Sequence, residues 1–156
     1  NKRQCNRGYG TDGRVREWLV LIYKVPREPT SRRVAVWRRL RRLGAMLLHD
    51  AAWILPATQW TREQVQWVAT EILELEGEVT VWESRLTFGE DQAMVEQFQA
   101  QVAPTYAAIL RELGQKDADL IALFRRYQQA RALDYFPSEL DARVRESLLK
   151  ARVSEE

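Results

Sequence analysis

The chain has 156 residues and a net charge of +2, with 46% hydrophobic and 29% charged residues. That is one domain, or one domain with a helical appendage, and its six Trp, five Tyr and four Phe supply ample material for a core. A single cysteine, Cys5, excludes an internal disulfide and any cysteine-rich metal centre, and the lack of a signal peptide or of about 18 consecutive apolar residues sets the expectation of a cytoplasmic protein without a membrane partner.

Residues 1–16 are polar, with three glycines and five basic residues, and read as a flexible basic arm. Trp18 to Val25 is apolar at both parities, as expected for a strand buried on both faces, and Pro26 and Pro29 stop it. Thr30 or Ser31 then caps a helix running to about Leu43, with Gly44 as its C-terminal stop. Its inner face is Val36, Leu40 and Leu43, with Trp37 alongside. Met46–Leu48 and Ala52–Leu55 read as short strands around a His49-Asp50 hairpin tip. Thr61 is expected to cap a second helix carrying Val65, Val68, Ile72 and Leu75 and ending at Gly77, with Trp60 as a hydrophobic staple. Glu78 to Phe88 follows as a strand, with Val79, Val81 and Glu83 on one face.

That order, strand, helix, strand, strand, helix, strand, predicts an α+β fold on the ferredoxin-like βαββαβ plan over residues 17–89. From Glu90 onward the pattern is helical, and residues 90–156 are expected to form a helical extension packed on the remaining sheet face or on a partner. Pro104 begins a new helix or kinks one, Asp117 caps another, and Ser138 starts the last.

Charge is unevenly spread. Residues 27–42 hold seven arginines against Glu28, for +6, while residues 61–96 hold nine acids against Arg62 and Arg85, for −7. Two explanations stand side by side: an acidic partner for the first region, or the basic first helix lying beside the acidic second one.

Catalytic constellations are absent, no metal-ligand spacing occurs, and no cofactor is expected. His49 reads as a turn residue and Cys5 as a casual surface thiol. The first helix is the candidate site. At about 100° per residue, Arg33 falls between Leu40 and Trp37 in the apolar sector, where an arginine is costly unless paired with an acid or an anion, and the sequence leaves open whether it is buried. Thr30, Ser31, Arg32 and Arg33, with the free amides of the first turn, form a candidate oxyanion cradle. The solvated stripe Arg38, Arg39, Arg41 and Arg42, reached also by Arg27 and the arm, is a candidate DNA contact. A solvated basic face without a nucleic-acid partner explains the same stripe, and no helix-turn-helix signature accompanies it.

The words WLVLIYKVP, SRR, VWRRL, LGA and WILP, within Trp18–Pro56, resemble the N-terminal domain of ChrB-type chromate-resistance proteins, and the likeness continues more loosely through EGEVTVW and ALFRRYQQARALDYF. The central domain of PaaX-type repressors is similar in its strand, Arg-rich helix and WILP-like strand, but their winged-helix reader is missing here. The resemblance to ChrB implies a bacterial, non-enzymatic regulator of a chromate-efflux operon, whose relatives usually carry a second, C-terminal domain. The partners it leaves open are DNA, a second copy or a separate C-terminal sensor domain, and chromate itself.

Overall fold

The computed structural model describes residues 16–49 and 52–155. Cys5 and the rest of the basic arm up to residue 15, and Asp50 of the hairpin tip, lie outside the described residues. The elements, in chain order, are β1 (Trp18–Lys24), α1 (Ser31–Arg42), β2 (Met46–Leu48), β3 (Ala52–Pro56), α2 (Gln59–Glu74), β4 (Glu78–Ser84), α3 (Asp91–Leu113), α4 (Leu120–Ala132) and α5 (Glu139–Glu155). Among the described residues the fold is α+β, one four-stranded antiparallel sheet with five helices, and the chain divides into two compact units, one ending at Met94 and the other running from Val95 to Glu156.

In the first unit the strand order is β2-β3-β1-β4. The register pairs Leu21 of β1 with Trp53 of β3 on one side and with Val81 of β4 on the other. Side chains alternate along a strand, so Leu19, Leu21, Tyr23, Trp53, Leu55 and Val81 share one face. Both helices lie over that face: Arg33 and Trp37 of α1 border a cleft with Tyr23 and Trp53, and Arg62 of α2 pairs with Glu83 of β4. On the opposite face the buried Trp18 indole donates a 2.8 Å hydrogen bond to Asp91, which fixes the start of α3.

Several boundaries depart from the sequence reading. Thr30 has helical backbone angles (φ −57°, ψ −26°) and makes no side-chain cap, so neither it nor Ser31 closes α1 as expected. Gly44 does take the left-handed position after α1, at φ 75°. For α2 the cap is Thr58, not Thr61: extended at φ −128°, it accepts from the Thr61 amide while the Thr61 hydroxyl accepts from the Thr58 amide, a reciprocal capping box. Trp60 therefore lies inside the helix, 44% exposed, and not at the staple position before the cap. At the other end of α2 the left-handed residue is Glu76, at φ 62°, one position before the expected Gly77. Gly77 serves close approach instead, since a Cβ there would lie 2.7 Å from the Lys24 carbonyl oxygen and 2.8 Å from Ile72 Cγ2. β4 stops at Ser84, short of Phe88, because Ser84 already pairs with Trp18, the first residue of β1.

The second unit comprises most of α3 with α4 and α5. Pro104 neither breaks nor restarts α3, which is helical throughout Asp91–Leu113. The cap of α4 is Asp119, whose side chain accepts from the Ala122 amide, in place of Asp117. Tyr106, Ile109, Leu123, Val144 and Leu148 form the core. Two tyrosines anchor it to buried acids, the Tyr106 hydroxyl donating to Asp134 (2.8 Å) and the Tyr127 hydroxyl to Asp141 (2.7 Å). No helix among the described residues is long and apolar enough to cross a membrane.

Candidate functional site

Six arginines in one short helix repel one another, and their surroundings sort them into three groups. Arg32 and Arg39 lie on the flank that meets α2. Arg32 donates to the Leu75 carbonyl at 3.3 Å and to Glu76 at 3.2 Å, and Arg39 Nε faces Glu71 at 3.5 Å. The Arg39 Nε is buried and makes no aligned hydrogen bond, so that pair is held by charge more than by geometry. The basic helix does lie beside the acidic one, and two of its cations are neutralised there.

The outer side carries Arg38, Arg41 and Arg42, all exposed. The Arg41 guanidinium stands over the Trp37 ring, 5.7 Å from its centroid, within the range of a cation–π contact. Neither Arg38 nor Arg42 has an acidic partner among the described residues. Consecutive members of the series Arg33, Trp37, Arg41 are four residues apart, as are Arg38 and Arg42, so these side chains make a continuous basic and aromatic face.

Arg33 is exposed, although its helical angle puts it in the apolar sector. It sits in the first turn, where the flank opposite α2 overlooks a cleft and no packed wall among the described residues covers it. The cleft has a volume of about 530 Å³. Its cations are Arg27 and Arg33, Lys24 bordering it from a strand position whose side chain alternates to the opposite face, and no acid among the described residues lines it. Its rings are Tyr23, Trp37 and Trp53, with Leu47 at the edge. Trp53 is almost wholly buried and forms the floor, whereas Trp37 is 49% exposed. Burial pushes the Tyr23 phenol above its ordinary pKa, while its hydrogen bond with Trp53 and the nearby Arg33 charge pull it back down.

The structure thus brings Arg33 and Arg27 together at one cleft but separates them from the rest of the two sequence-derived groups. Thr30 and Ser31 are exposed at the start of α1, and the Arg32 amide is already bonded to the Pro29 carbonyl at 3.2 Å. The Arg32 side chain belongs to α2. Arg39 is drawn out of the solvated stripe, leaving Arg38, Arg41 and Arg42.

Sequence reasoning missed Tyr23, Lys24, Leu47 and Trp53 as parts of a site. The alternation of β1 places Tyr23 beside Leu21 on one face, but only the pairing of Leu21 with Trp53 brings the second ring alongside. The Arg33–Trp37 spacing of four was the one local signal. The Tyr106–Asp134 and Tyr127–Asp141 pairs, 28 and 14 residues apart, carry no local signal at all.

Residues 33–148 match the family described as "Protein ChrB, N-terminal". The search of curated proteins and the search of solved structures returned no match.

Proposed function

The chain belongs to the ChrB N-terminal family, and from that premise we propose that it is a regulatory domain in bacterial chromate resistance that contacts DNA through α1. The observation that carries the reading is the sorting of the arginines. After Glu71 and Glu76 have taken Arg39 and Arg32, an exposed face of Arg33, Arg38, Arg41 and Arg42 is left, with no acid paired to Arg33, Arg38 or Arg42 among the described residues. Clustered guanidinium groups release counterions from a phosphate backbone, and that gain needs no base-specific geometry. The reading assigns the domain no catalysis and places it in the cytoplasm.

The same reading takes the first unit as ferredoxin-like. Each helix links two strands that are not neighbours, and the gap between them is filled by a strand of the other half, as the order β2-β3-β1-β4 requires.

The test is a salt titration of binding to promoter DNA of a chromate-resistance operon, read by fluorescence anisotropy with and without chromate. Affinity that falls steeply with salt supports the reading. No binding at low salt sinks it and favours a protein-interaction module, for which Ile22 (47% exposed) and Trp82 (56%) on one sheet face offer an apolar surface.

A further inference from the structure

The cleft beside α1 contains more than a phosphate contact needs. Two cations, Arg27 and Arg33, line it with no acid beside them among the described residues, although Glu71 of α2 and Glu76 just after it partner Arg39 and Arg32 on the other flank of α1. Three aromatic rings line it as well, and one of them, Trp37, is left half open to solvent. Its size also discriminates. A volume of about 530 Å³ falls within the roughly 300–1,000 Å³ of small-molecule sites. A bare tetrahedral oxyanion displaces only two or three waters of about 30 Å³ each, and would leave most of the space and all of the rings unused.

We infer that this cleft binds a small organic anion bearing a planar ring, its charged group held by Arg33 and Arg27 and its ring lying against Trp53, Tyr23 and Trp37. Guanidinium groups at the rim hold a carboxylate or phosphate through paired donors. The Trp53 floor, packed and nearly inaccessible, gives a fixed apolar wall, and the rim cations enclose the ring from the mouth side. Both a nucleoside monophosphate and an aromatic carboxylate have this chemistry. The inference stands on the cleft and does not require DNA contact, so its test contains no DNA.

The test is isothermal titration calorimetry on the full chain with four probes: adenosine monophosphate, salicylate, inorganic phosphate and chromate. At least one ring-bearing anion is expected to bind with a Kd below about 1 mM, and at least about tenfold more tightly than phosphate or chromate. Which of the two binds identifies the charged group that the cleft prefers. Arg33→Ala and Trp37→Ala, both at exposed positions and checked for folding by circular dichroism, are each expected to weaken that binding at least about tenfold. Arg143→Ala, exposed on α5, is expected to leave it unchanged. The inference is overturned if neither ring-bearing anion binds, if phosphate or chromate binds as tightly as both, or if the folded Arg33→Ala and Trp37→Ala proteins bind like the unaltered chain.

Discussion

An alanine at Gly77 would drive its methyl group to 2.7 Å from a backbone oxygen, Lys24 O, and to 2.8 Å from Ile72 and Val25 side-chain carbons. Backbone cannot move aside as a flexible side chain does. Gly77→Ala is therefore expected to cost about 1–3 kcal/mol, an overpacking penalty measurable by urea denaturation. A second residue-level consequence concerns alkaline pH. Burial, then the hydrogen bonds to Asp134 and Asp141, raise the Tyr106 and Tyr127 pKa values, and burial alone pushes Tyr135 up to about 12. In the unfolded chain these phenols titrate near 10. A raised folded pKa means that the native state holds the proton more tightly. Its contribution is complete below about pH 10 and is lost as pH rises from there through the folded values. Denaturation midpoints between pH 8 and 11.5 should stay level at first and then fall. A Tyr135→Phe variant should show a shallower decline, and an identical profile in that variant would contradict the assignment.

At the level of elements, the α2 start rests on two threonines that cap each other. Thr58→Ala removes the acceptor for the Thr61 amide and is expected to destabilise the fold by about 1 kcal/mol, with Thr58→Ser close to neutral. The outcome to look for in thermal melts is this ordering, Thr58 ≈ Ser > Ala. Much of the element pattern was legible beforehand, and what escaped has definite causes. Apolar residues at both parities identified β1, and Gly44 identified the end of α1, because each needs only local information. Thr58 and Thr61 are both good caps, and only the extended backbone at Thr58 decides between them. The end of β4 is set by where its neighbour β1 begins, which no property of Arg85–Phe88 reveals. Pro104 has an exposed position in α3, so its missing amide costs one helical bond to the Ala100 carbonyl without forcing the packed face apart.

On the scale of the whole molecule, net charge is a poor guide to what a partner meets. The sequence shows the arginine excess plainly, but dividing it among uses requires knowing that α2 lies alongside α1. The division makes a prediction that a uniform basic helix would not. Arg38→Ala and Arg42→Ala should each lower DNA affinity and reduce the log–log salt slope by about 0.9 for each phosphate no longer neutralised. Arg32→Ala and Arg39→Ala should leave the slope nearly intact while loosening the α1–α2 pair. Equal effects from all four in anisotropy titrations would refute the division. The cleft was the least legible part of the site, because Tyr23, Trp37 and Trp53 come from two strands and a helix and meet only once the register is set. Trp37 has a further property. It is a wall of the cleft and also the seat of Arg41 on the outer face of α1. A side chain that serves two surfaces cannot be tuned for one alone: a change of residue there registers on both, and a shift of the indole when the cleft fills would be felt by the guanidinium resting on it. One aromatic ring thus belongs at once to the cleft and to the charged outer face of the domain.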